Sequence, residues 1–103
     1  MEFVWVTVAK VSEVPKGRVK VVEVEGNRIA LCNVEGTIYA IDDVCTHDNG
    51  PLGEGELWDN QIECPRHGAR FDVKTGKVVC LPAVIPVRTY EVKIEGEEVK
   101  VKV

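Results

Sequence analysis

The sequence predicts an all-β protein: an antiparallel β-sandwich base, or a partly open barrel, that carries a small loop-rich subdomain. Three observations predict it. Valine dominates, in runs that alternate with polar residues, as in FVWVTVA and EVKVKV. Gly26, Gly36 and Gly96 punctuate those runs at the short intervals that hairpins need. From Val44 to Pro86 the runs shorten and glycine and proline crowd in. Loop density of that kind inside a compact domain usually serves function.

Taken in order, FVWVTVA is the first strand. The turn at VSEVPKG is the one helix candidate, and Pro15 limits it. RVKVVEVE and RIALCNV follow as a hairpin about Gly26-Asn27. NVEGTIYAI turns at Gly36, and TYEVKIE and EVKVKV close the chain about Gly96. These make five or six antiparallel strands, and the terminal ones are expected to pair back into the larger sheet.

The 103 residues make a single domain, 1–103, large enough to bury a core. A net charge of -4 without a basic patch argues against a nucleic-acid surface. The start, MEFVWVTVAK, lacks a basic n-region, and no apolar run approaches the roughly 18 residues of a membrane span. The expectation is a soluble, cytoplasmic protein with no membrane contact. The four cysteines, Cys32, Cys45, Cys64 and Cys80, then favour metal over disulfide chemistry.

His47 and His67 are the chain's 2 histidines. Cys45-x-His47 and Cys64-x-x-His67 sit in loops marked by Gly50-Pro51 and by Pro65 and Gly68. Thiolate and imidazole are both metal ligands, and two of each make a closed set. Three readings follow: unrelated cysteines and histidines, a structural zinc module, or an iron–sulfur centre with mixed ligands. A zinc finger spaces its two histidines along one helix. Here each histidine has its own cysteine, in a loop.

CTH followed by GPL, and CPRHG followed by FD, resemble the signature of the Rieske proteins. The likeness runs through the flanking strands and the stretch CLPAVIPVRTYEV. It implies one Rieske-type 2Fe–2S cluster, with Cys45 and Cys64 on one iron and His47 and His67 on the other. It implies a β-sandwich base with a cluster-binding subdomain, about residues 43–85. Two imidazoles in place of two thiolates leave the oxidised site near neutral, so it accepts an electron more readily than an all-thiolate cluster.

Departures narrow the type. Rieske proteins of respiratory complexes carry a loop disulfide where this chain has Gly50 and Arg66. They carry a serine and a tyrosine that bond to sulfur where this chain has Ala69 and Phe71. Without those donors the reduced cluster is less stabilised. The resemblance therefore implies a soluble low-potential ferredoxin, a one-electron carrier from a flavin reductase to a terminal non-haem iron oxygenase; a monomer is expected. The alternative is the small Rieske-like subunit of a nitrite reductase. Catalysis by the chain is not expected, because both histidines are committed to the cluster. Pro82 matches a proline loop that covers the cluster in relatives. Cys32 and Cys80 read as buried, inert thiols. Asp42, Asp43, Asp48, Glu54, Glu56, Asp59 and Glu63 read for the most part as a solvated loop surface; the alternative is a negative rim, interrupted by Arg66 and Arg70, that would steer a basic partner.

Overall fold

Eleven strands form among the described residues of the computed structural model, which are 4–46, 50–66, 68–81, 83 and 85–103. They are β1 (Trp5–Lys10), β2 (Val19–Val24), β3 (Asn27–Val34), β4 (Thr37–Asp42), β5 (Glu56–Trp58), β6 (Gln61–Glu63), β7 (Arg70–Asp72), β8 (Val78–Cys80), β9 (Thr89–Tyr90), β10 (Val92–Glu95) and β11 (Glu98–Lys102). The expected turn at VSEVPKG is a short 3-10 helix, Val11–Glu13.

Side-chain alternation sets the architecture. In β3, Ile29 and Leu31 face one way while Ala30 and Cys32 face the other, and all four are buried. A strand buried on both faces lies between two layers. The central sheet has the order β2-β3-β4-β9. One of its faces packs Ile29, Leu31, Ile38 and Ala40 against Val99 and Val101 of the sheet β1-β11-β10. The other packs Ala30, Cys32 and Ile41 against Ile62, Phe71 and Val73, from and beside the sheet β5-β6-β7-β8.

Every strand pair is antiparallel, as expected. The β2-β3 and β3-β4 hairpins turn at Glu25-Gly26 and Glu35-Gly36, where all four residues have positive φ, from 49° to 99°. Two such residues make the type I′ turn whose twist matches the flanking strands.

Two expectations change. The terminal strands β1 and β11 pair with each other in a separate three-stranded sheet, not in the larger one. Stacking them leaves β3 covered on both faces. The count exceeds six because the glycine-rich middle folds into four short strands. In addition, TYEVKIE divides at Glu91: Tyr90 pairs with Ala40 in the central sheet, whereas Val92 pairs with Val101 in the terminal one.

Candidate metal centre

Cys45 lies three residues beyond β4, and Cys64 follows β6 directly. The two loops close by the same bond. The Cys45 amide donates to the carbonyl of Gly50, and the Cys64 amide to the carbonyl of Ala69, each at 2.7 Å and five residues on. Gly68 N–H also donates back to Cys64 O at 3.1 Å. A chain that doubles back within five residues needs compact corners, which the Gly50-Pro51 and Gly68 positions supply.

Both cysteines are buried, at 0% and 1% exposure, in one apolar group with Leu52, Ile62, Ala69, Phe71 and Ala83. No disulfide forms among the described residues. His47 and His67, the other two expected ligands, lie outside the described residues, as do Asp48, Asn49 and Pro82. Among the described residues, no three His, Cys, Asp or Glu side chains gather closely enough to hold a metal ion. The donor set nevertheless fits a mixed-ligand 2Fe–2S group: two buried thiols begin two matching loops, and the sequence puts one histidine within each loop.

The loops are fixed from below. Gly55 has no room for a side chain, since a Cβ there would stand 1.8 Å from Glu63 O. That close approach presses the corner before β5 against the end of β6, next to Cys64. Thr46 Oγ1 donates to Ile85 O at 2.5 Å, joining the first loop to the segment after β8. Ala69 and Phe71 are both fully buried, so neither position offers a hydroxyl to the thiol region.

Several acids are not where the sequence placed them. Asp43 is buried and ion-paired with Arg28 at 3.0 Å, because its carboxylate is enclosed by β3 and the residues after Pro51. Asp42 accepts the Tyr90 hydroxyl. Glu63 pairs with Arg70 at 3.4 Å, and that guanidinium also lies 5.7 Å from the centre of the Trp58 ring. Glu54, Glu56 and Asp59 remain exposed. Glu54, Glu56 and Glu63 line a groove of about 470 Å³ with Trp58, Cys64 and Pro65.

The two remaining cysteines differ from each other. Cys32 is buried, as expected, and its thiol is pushed up to about 12 by burial first and the Asp43 charge second. Cys80 is exposed, contrary to expectation. It ends β8, the outer strand of its sheet, so no further strand covers it. Sequence reasoning did not anticipate the Asp43–Arg28 pair or the Thr46–Ile85 bond. Arg28 and Asp43 are far apart in the chain, and only the β3-β4 register, with Ile29 opposite Asp42, brings them together.

The family model described as Rieske [2Fe-2S] domain matches residues 4–91. The ferredoxin component of the naphthalene 1,2-dioxygenase system of Pseudomonas aeruginosa is 45% identical over 97 residues, covering 94% of this chain and 93% of that protein. Among solved structures, the ferredoxin of carbazole 1,9a-dioxygenase from Nocardioides aromaticivorans IC177 superposes with a TM-score of 0.91 at 35% identity, over 94% of this chain and 95% of that one. A complex of reduced oxygenase and oxidised ferredoxin in carbazole 1,9a-dioxygenase contains a chain that matches with a TM-score of 0.90 at 36% identity, over 94% of this chain and 91% of that one.

Proposed function

The chain belongs to the Rieske [2Fe-2S] family as a ferredoxin, an electron carrier with one Rieske cluster and not a catalytic subunit, and from that premise we propose that it carries single electrons from a flavin reductase to the terminal non-haem iron oxygenase of an aromatic ring-hydroxylating system. The observation that carries this reading is the end-to-end likeness to ferredoxin components of such systems, 45% identical across 93% of one of them. The match to a ferredoxin–oxygenase complex supports the choice of oxygenase as the acceptor.

Cys45 and Cys64 would hold one iron, and His47 and His67 the other. When bound, the cluster supplies reversible one-electron chemistry at iron. The chain's own residues do the rest. Leu52, Ile62, Phe71 and Ala83 keep water from the two thiolates. The amide bonds from Cys45 to Gly50 and from Cys64 to Ala69 close the two loops, which would limit their movement when an electron is transferred. Ala69 and Phe71 give the sulfur atoms no hydroxyl donor, which keeps the potential low.

The docking face surrounds the loops. Val44, Val79, Leu81 and Ile85 are exposed apolar side chains in the segments that flank them, Leu81 at 74% and Ile85 at 59%. Exposed apolar side chains in the segments that flank a redox site suit an interaction surface. Glu54 and Glu56 add negative charge in the groove that Cys64 and Pro65 also line. No helix among the described residues is long and apolar enough to cross a membrane.

Reconstitution tests the assignment. With NADH, a flavin reductase and a naphthalene-type terminal oxygenase, the protein should restore turnover in proportion to its concentration. Turnover equal to that without the protein, together with reduction of an assimilatory nitrite reductase, would favour the small-subunit alternative.

A further inference from the structure

Asp43 is a charged side chain buried within the core, with 2% of the residue exposed. Its Oδ2 accepts from Arg28 Nε at 3.2 Å and Arg28 Nη2 at 3.0 Å, and its Oδ1 accepts from the Gly53 amide. Its own amide donates to Arg28 O at 2.9 Å. These bonds join β3 to both ends of the first loop, because Asp43 precedes Cys45 by two residues and Gly53 follows Pro51 by two. There is no slack at Gly53. A Cβ there would stand 2.2 Å from Val21 Cγ2 and 2.8 Å from Asp43 Oδ1.

The two charges of the pair are not equally screened. The Asp43 side chain is 0% exposed and the Arg28 side chain 58% exposed. Water and salt weaken the field of the guanidinium far more than that of the enclosed carboxylate. The field reaching the interior is therefore negative. Cys32, in the same apolar group as Cys45 and Cys64, registers it: after burial, the Asp43 charge is the second cause that raises its thiol.

We propose that Asp43 is a positioning residue of the metal centre that also holds its potential down. Its carboxylate clamps the first ligand loop and sets a poorly screened negative charge two residues before Cys45, which disfavours an added electron. The proposal rests on the reading of Cys45 as a ligand.

Substitutions of opposite charge sense separate this from a purely structural role. Asp43→Asn keeps an oxygen for the Gly53 amide and removes the charge, so the midpoint potential should rise. Arg28→Met removes the half-exposed cation and keeps an apolar stem, so the potential should fall. Arg28→Lys keeps the charge and should stay near wild type. The test is a redox titration of the cluster-loaded proteins at neutral pH, followed by EPR, with iron content measured first. A rise for Asp43→Asn with a fall for Arg28→Met supports the proposal. Shifts of the same sign, or none, overturn it. If Asp43→Asn does not retain iron, Arg28→Met decides alone: a lower potential supports the proposal, and an equal or higher one overturns it. Failure of the ligand reading itself would appear separately, as wild-type protein without a Rieske EPR signal.

Discussion

The hydroxyl of Thr46 donates to the carbonyl of Ile85 at 2.5 Å across 39 residues of sequence. It ties the residue after Cys45 to the segment that follows β8, and so couples the first loop to the chain beyond Cys80. A net hydrogen bond of this kind contributes about 1 kcal/mol. Thr46→Val keeps the shape and removes the donor. Cluster loss under air or chelator, followed by visible absorbance, should then run about 5-fold faster, as about 1 kcal/mol implies. An unchanged rate would show that the tie does not guard the cluster.

The potential should lie toward the low end of the Rieske range, around -150 mV. Ala69 and Phe71 are fully buried and bring no hydroxyl. The double change Ala69→Ser and Phe71→Tyr should raise it, once the added hydroxyls reach sulfur. Phe71 pairs with Ile62 in β6 and Val78 in β8. A tyrosine hydroxyl left unbonded there would cost about 1–3 kcal/mol of stability, so unfolding should be measured alongside. A wild-type midpoint above about +100 mV would contradict this account of the missing donors.

Thiol chemistry should divide the two cysteines outside the proposed ligand set. Cys80 is exposed, whereas Cys32 is buried with its thiol pushed up to about 12. The thiolate is the reactive form. In cluster-loaded protein at pH 8, a maleimide should modify Cys80 rapidly and leave Cys32 unmodified, as peptide mass mapping would report. Equal labelling of both would mean that β3 opens easily.

Alkaline pH should destabilise the fold in a defined window. Burial and then Asp43 raise the Cys32 thiol from 9.0 to about 12. Burial, the bond to Asp42 and its charge raise the Tyr90 hydroxyl from 10.0 to about 12, against the opposing charge of Arg88. The folded chain holds these protons after the unfolded chain has released them. Their stabilisation is complete below about pH 9 and is lost as pH rises through about 12. The urea midpoint should fall across that range. Tyr90→Phe should flatten the part above pH 10, where the unfolded tyrosine titrates. A midpoint constant from pH 9 to 12 would refute these burial effects.

Much of the fold was legible because alternation and turn chemistry are local. The Val-rich runs and Gly26, Gly36 and Gly96 mark the hairpins that form. What was not legible depends on register. Nothing in TYEVKIE announces that Tyr90 and Val92 join different sheets. Nothing in IDDVCTH separates Asp42, bonded to Tyr90, from Asp43, enclosed with Arg28. Cys80 was misjudged because cysteine is usually a buried residue, whereas an outer strand leaves one side uncovered. The motif Cys45-x-His47 and Cys64-x-x-His67 stands out in the sequence, whereas of its four side chains the described residues include only the two buried cysteines.

Electron delivery should depend on charge at the groove beside Cys64. Glu54 and Glu56 are exposed there. Reduction by a flavin reductase with a basic docking face should slow as ionic strength rises. Glu54→Lys should slow it several-fold while the cluster spectrum stays constant. Stopped-flow rates indifferent to both would place docking on the apolar patch of Leu81 and Ile85 alone.

The central claim is the ligand set, and EPR of the dithionite-reduced protein with pulsed detection of nitrogen couplings tests it most directly. Ligation by Cys45, Cys64, His47 and His67 predicts a rhombic signal of low average g, with couplings to two imidazole nitrogens that disappear or change in His47→Ala and His67→Ala. A signal typical of an all-thiolate cluster without nitrogen coupling, or a colourless zinc protein with no signal, would contradict it.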